Sequence, residues 1–250
     1  MTIEGRLGRI LFALAFVALG LESLALRIYV MRLETVPAAW PGHTAGALAS
    51  GAFVLAAGAA ILLDRTARIA ASTLAALLLL WTVVLHVPDL AVNPTLALTG
   101  IFEPFALFAA AWTLAALMPP AGGAWDRFAA LGRTWGPIGF GVSLIVFGVV
   151  HFLFHDFVAS FIPAWIPFRL FFAYATGVGH AAAGLAILTR IVPRLAATLA
   201  GAMYASWVVL LHIPRTLAAI HDPFEWNGIF VAAALSGGAF LVAASFARKT

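Results

Sequence analysis

Apolar residues run along the chain in stretches of about twenty positions, each stopped by a charge, a proline or a pair of glycines. Runs of that length with few charges predict membrane-spanning helices. Eight are expected, over 8–31, 43–63, 67–87, 95–118, 135–154, 168–189, 193–213 and 227–247. The first is too long for the apolar core of a cleaved signal, and Glu22 stands where small residues would mark a cleavage site.

Composition agrees with the pattern. Hydrophobic residues make up 64% of the 250, charged residues 10%, and the mean hydropathy is +1.05. Soluble chains carry roughly 25% charged residues, so this one lacks the polar surface to face water. An all-α integral membrane protein in a lipid bilayer is expected, with tails and short loops but no sizeable extramembrane domain. The absence of cysteine excludes disulfides, thiolate metal sites and thiol catalysis. The pI near 10.3 comes from arginines scattered at helix ends and not from a basic stripe, so no nucleic-acid partner is expected.

Charge sets the expected orientation. Arg6, Arg9, Arg65, Arg68, Arg127, Arg133, Arg190, Arg194, Arg248 and Lys249 fall on the N-terminal side, ten of the 14 cations. Arg27, Arg32, Arg169 and Arg215 fall on the other. The positive-inside rule then places both termini in the cytoplasm of a multi-pass protein of the cell (inner) membrane. His43, His86, His151, His155, His212 and His221 gather near the outer helix ends, as do Glu34, Asp89, Asp156, Asp222 and Glu225.

The chain also repeats itself at about 126 residues. Pro37 and Pro41 align with Pro163 and Pro167, Gly51 and Gly58 with Gly177 and Gly184, and Trp81, His86 and Pro88 with Trp207, His212 and Pro214. A two-residue shift aligns Gly100-Ile101-Phe102 with Gly228-Ile229-Phe230, and three extra residues upstream set Glu22 opposite His151. Four helices per copy return the chain to its starting side, so the copies are expected in parallel orientation about an axis along the membrane normal. The expected architecture is two four-helix bundles side by side, 1–118 and 135–250, joined by a cytoplasmic linker at 119–134.

The residues able to carry chemistry are few. In each Trp-x4-His-x-Pro the proline ends helical geometry just after the histidine. His86 and His212 then either cap a helix end or face a shared cavity as ligands or proton carriers. Asp89 and Arg215, the next positions, carry opposite charges suited to pairing across the axis. His151 and His155 are four apart, which sets both on one helix face. His180 lies on a stripe with Ala173, Gly177 and Gly184, where small residues admit a neighbouring helix, so it is expected to point into the bundle. Glu22 and Glu103 lie inside spans, where a carboxylate must be protonated, paired or facing a wet cavity. Arg27 is the expected partner of Glu22, and Pro104 frees a carbonyl near Glu103. Trp40, Trp165 and Trp226, with Trp125 and Trp135 at the opposite side, suit interface belts. The apolar loop from Phe152 to Phe172 is expected to dip back into the outer leaflet.

Across about 145–215 the chain resembles the DoxX-like four-helix membrane family. The likeness rests on His151-Phe152, Asp156-Phe157-Val158-Ala159, Ile162-Pro163-Ala164-Trp165-Ile166-Pro167, Ala173-Tyr174-x-Thr176-Gly177-x-Gly179-His180 and Ala183-Gly184-Leu185. It reaches the first half through the repeat, so the chain resembles a tandem fusion of two such units. The first half departs from the pattern with Glu22 and Val54 in place of the two histidines. Relatives of this kind include subunits of quinone-linked sulfur oxidation, redox-protection systems and assembly chaperones.

The expectation is therefore a redox-associated membrane subunit that binds a quinone, or a haem, in a polar cavity of the outer half. His86, His151, His155, His180, His212, Arg215, Glu22, Glu103 and Trp165 are its expected binding residues, with His86 and His212 as a bis-histidine haem pair. A membrane or extracytoplasmic redox protein would be its partner. Two rivals stand beside it: a non-catalytic scaffold or assembly chaperone, and a small-solute transporter, against which the nearly apolar inner half argues.

Overall fold

The computed structural model describes residues 1–247; Arg248 and Lys249, two of the ten cations counted above, lie outside the described residues. Eight helices among the described residues are long and apolar enough to cross a membrane. The chain opens with α1 (Ile3–Leu26), α2 (His43–Ile61) and α3 (Ala67–Trp81). From α3 it continues through a π turn, Thr82–His86, and a 3-10 turn, Val87–Ala91. Next come α4 (Pro94–Leu117), α5 (Ala124–Leu153), the short α6 (His155–Phe161) and α7 (Arg169–Thr189). Then α8 (Pro193–Trp207) passes through a second π turn, Val208–His212, into α9 (Ile213–Ala218), and α10 (Pro223–Ser245) follows.

Local hydrogen bonding moves two boundaries from where hydropathy puts them. Thr2 caps α1, its hydroxyl accepting from the Gly5 amide at 3.2 Å, so the helix starts at Ile3 rather than at residue 8. The segment expected as a linker is helical from Ala124 onward. The Asp126 carboxylate accepts the Ala121 and Gly122 amides at 3.0 and 2.7 Å and pairs with Arg68. Gly122 and Gly123 have φ of +90° and +80°, a left-handed backbone that glycine adopts without strain. The chain thus reverses within five residues, 119–123, and the charges that suggested a linker ride on the first turns of a 30-residue helix.

Packing interlocks the two halves. Helix α1 lies against α2 and α10, α5 against α4 and α7, α3 on α4, and α8 on α10, with α4 meeting α10 at the centre. The first helix of each half therefore packs on the last helix of the other, in place of two self-contained bundles. Close backbone approach makes this possible. A Cβ on residue 237 would stand 2.6 Å from the Phe12 amide nitrogen, and one on residue 136 would stand 2.9 Å from the Ala109 carbonyl, so glycine is required at both crossings. In lipid no hydrophobic drive separates helix from helix, and such fit decides which pairs meet.

One end of the bundle is tied by ion pairs: Arg9 with Asp64, Arg68 with Asp126, and Arg194 with Glu4. Arg68 also donates to the Ala115 and Met118 carbonyls at 3.0 and 2.7 Å, which fixes the end of α4. The opposite end holds the polar side chains that the sequence singles out.

Candidate functional site

Both copies of Trp-x4-His-x-Pro fold the same way. Each tryptophan ends an α-helix and the next five residues form a π turn, a wide turn often found at functional positions. In both, the imidazole Nδ1 rests over a glycine of the following span. A Cβ at Gly100 would be 3.1 Å from Nδ1 of His86, and one at Gly228 would be 2.7 Å from Nδ1 of His212. The repeated Gly-Ile-Phe is thus the seat of the repeated histidine. The two differ at the other nitrogen. His86, 1% exposed, binds the Leu33 carbonyl through Nε2 at 2.9 Å, whereas His212 is half-buried beside Arg32.

That arrangement does not suit a bis-histidine haem. Nε2 of His86 is engaged by Leu33, and its unpaired Nδ1 is buried against Gly100, so neither ring nitrogen is turned toward an open site for an iron. Among the described residues no three His, Asp or Glu side chains gather at metal-binding spacing.

His151 and His180 meet in the second half. His180 is 1% exposed, with Nε2 3.0 Å from the Tyr204 hydroxyl. The His151 ring lies 4.8 Å from it, centre to centre, and Trp207 stands 5.3 Å from His180 and 5.9 Å from His151. His155 does not share that face. Helix α5 ends at Leu153 and Phe154 leaves helical geometry, which turns His155 onto Tyr174 at 5.3 Å, with Nδ1 on the Phe152 carbonyl at 3.0 Å. Trp165 is 66% exposed in the turn after α6.

Glu22, Arg32, His212 and Asn227 meet at the seam where α1 packs on α10. The Asn227 amide donates to Glu22, and its oxygen accepts from the Arg32 backbone at 3.4 Å. The Arg32 guanidinium lies 4.0 Å above the Phe224 ring and donates to the Phe224 carbonyl at 3.3 Å. Glu103 on α4 stands within electrostatic reach of Arg32. Glu22 Oε1, Arg32 Nη2 and His212 Nδ1 are buried without a protein partner. Two expected pairings are replaced: Glu22 is held by Asn227 in place of Arg27, and Arg215 pairs with Glu225 in place of Asp89. Arg215 also lies 4.1 Å over the Phe161 ring.

A side chain that the sequence reading left unassigned organises an opening in the first half. Between α2 and α3 lies a crevice of about 330 Å³ walled by Phe53, Leu77, Leu80 and Val84. Phe53, Leu80 and Val84 are also exposed on the outer face of the bundle, so the crevice opens sideways. Tyr29, Glu34, Ser50 and Trp81 line its polar end. Glu34 is 3% exposed because the 30–34 turn folds back: the Glu34 amide donates to the Val30 carbonyl at 2.7 Å, while the carboxylate accepts from the Val30 amide at 3.1 Å and from Ser50 Oγ at 2.6 Å. Burial pushes the Glu34 carboxyl up to about 7, against the opposing pull of those two hydrogen bonds. Burial, and then the charge of Glu34, also raise the Tyr29 phenol. Three consecutive residues thus dock in three places: Arg32 at the seam, Leu33 on His86, Glu34 in the crevice.

The chain matches no family model, no curated protein and no solved structure. The missed residue had one available signal: Pro37 and Pro163 set Glu34 level with Ser160, an acid present in one copy alone.

Proposed function

We propose that this protein is a DoxX-like subunit of the cell membrane, with both termini cytoplasmic, that binds a quinone-type molecule in the crevice between α2 and α3. The observation that carries this reading is Glu34, a buried carboxyl with a value of about 7 in the lining of an apolar slot that opens sideways. A quinone has an apolar tail that suits walls of Phe53, Leu77 and Leu80, and ring carbonyls that need donors. Tyr29 and Trp81 supply an O–H and an N–H. Glu34 can hold or release a proton near neutrality, the range in which a general acid or base is most effective. When bound, such a ring carries electrons and protons between partners, which agrees with the quinone-linked systems that the resemblance implies. Ten of 14 cations on one side of the sequence support the orientation.

The expected binding set of His86, His151, His155, His180, His212, Arg215, Glu22, Glu103 and Trp165 is no part of the slot's lining, and the haem variant is dropped from the proposal. The scaffold reading is favoured by one feature, the run of exposed aromatics Phe157, Trp165, Phe168 and Phe171, which suits a partner helix as well as lipid.

Mass spectrometry of molecules extracted from purified protein tests the proposal, with Ser50→Phe filling the slot. Quinone at near-stoichiometric yield in the wild type and about tenfold less in the variant is expected. Equal yields from two well-folded proteins would remove the crevice from consideration.

A further inference from the structure

The two halves differ at the end tied by ion pairs. At the α1–α2 corner, Arg9 donates to the Ile61 carbonyl at 2.7 Å and pairs with Asp64, so the cation is neutralised on the spot. The 126-residue alignment sets Arg190 opposite Asp64, reversing the charge at the matching α5–α7 corner. There a groove of about 60 Å³ is lined by Arg133 and Arg190, with Thr134 between them in character, and by Ile138, Ile187 and Leu188. Neither arginine forms an ion pair among the described residues. Arg133 has one protein hydrogen bond, to the Ala116 carbonyl at 3.3 Å. Arg190 ends α7 in a left-handed conformation, φ 59°, and is exposed. Two acids at the same end, Glu4 and Asp126, are taken by Arg194 and Arg68.

Two exposed guanidiniums over an apolar groove, at the end of a membrane helix pair, are chemically matched to a phosphate group joined to acyl chains. Trp135, two residues beyond Arg133 on α5, is exposed and suits the headgroup depth that tryptophan prefers. Free phosphate would satisfy the arginines but would leave the half-buried Ile138 and Leu188 facing water.

We propose that the α5–α7 groove is a binding site for an anionic phospholipid, with Arg133 and Arg190 clasping its phosphate and the acyl chain lying on Ile138 and Leu188. The site is independent of the crevice and of any quinone. It also gives the uncompensated corner a role in fixing the depth of the second half.

Native mass spectrometry tests it on whole protein released from nanodiscs of equimolar phosphatidylcholine and phosphatidylglycerol. The wild type should retain phosphatidylglycerol in preference by about tenfold, and R133Q/R190Q should abolish the preference. R6Q/R65Q, which removes two exposed arginines from the same end, should leave it intact. Equal loss in both double variants would reduce the effect to general surface charge and overturn the site. Thermal stabilisation by inorganic phosphate alone, equal to that by the lipid, would overturn the lipid assignment. Should the double variant fail to fold, R190Q alone provides the readout through a partial loss, and an unchanged preference would sink the proposal.

Discussion

Matched positions in the two halves are built from different materials. Val54, Leu78 and Trp81 in the first half correspond to His180, Tyr204 and Trp207 in the second, and Glu22 corresponds to His151. In the second half the polar trio of His151, His180 and Tyr204 knits α7 to its neighbours, with the His180–Tyr204 bond at its centre and the His151 ring tilted against His180. In the first half Val54 and Leu78 stand at the His180 and Tyr204 positions and form no such bond, and α2 and α3 part to leave the crevice that Glu34 lines. Glu34 in turn corresponds to Ser160, which is exposed and bonded to its own helix. One scaffold thus carries a filled junction and an open one. The lesson is that density of polar residues does not mark where an opening forms: in the half richer in histidine, His151 and His180 sit at a closed helix junction.

The harshest way to break the comparison is to attack what the halves share. Gly58 and Gly184 are aligned, and a Cβ would stand 2.7 Å from the Val17 amide nitrogen in one case and 2.5 Å from the Gly141 carbonyl in the other. Neither backbone can yield without moving a helix. Gly58→Leu and Gly184→Leu should each cost about 3 kcal/mol or more by overpacking, read as loss of the monodisperse peak in detergent. A variant tolerated in one half alone would show that the repeat does not extend to the packing of its helices.

Glu34 sharpens the comparison with a smaller effect. Its carboxyl has a folded value of about 7 against an ordinary 4.5. Between those values the folded state holds a proton that the unfolded chain has released, so stability falls as pH rises through this window. Below about 4.5 there is no penalty, and above about 7 the penalty is complete, up to about 3 kcal/mol. Thermal midpoints measured from pH 5 to 8 should fall in the wild type and stay nearly level in Glu34→Gln. Parallel curves would mean that Glu34 is solvated and the crevice is not a dry slot.

How much of this was legible in the sequence depends on the range of the forces involved. Spans were readable because hydropathy and proline act within a single helix; all eight end, and all but α5 begin, within about five residues of the expected position. The start of α5 was not, since Asp126 looks like a loop residue until its capping of Ala121 and Gly122 is seen. Nor was the interlocking of the halves: glycines such as Gly237 advertise close packing without naming the partner. Charge patterning failed for Glu34 because a short loop reads as solvated, and only the Val30–Glu34 turn buries it. His151 and His155 misled because four-residue spacing implies one face only while the helix continues, and it breaks at Phe154.

The gentlest test concerns the bond that only the second half possesses. Tyr204→Phe keeps the ring and its contacts with Trp207 and removes the hydroxyl that meets His180 Nε2 at 3.0 Å. A buried imidazole nitrogen loses its partner, which costs about 1–2 kcal/mol. Replacing His180 as well, with Leu, removes the unpaired group, so the double variant should be more stable than the sum of the single losses by about 1 kcal/mol. The matching residues of the first half, Leu78 and Val54, have no polar atoms to couple, so conservative changes there should simply add. The comparison rests on that asymmetry: additivity at His180 and Tyr204 would mean the second junction is held by packing alone, as the first one is, and the polar trio would lose its role in closing it.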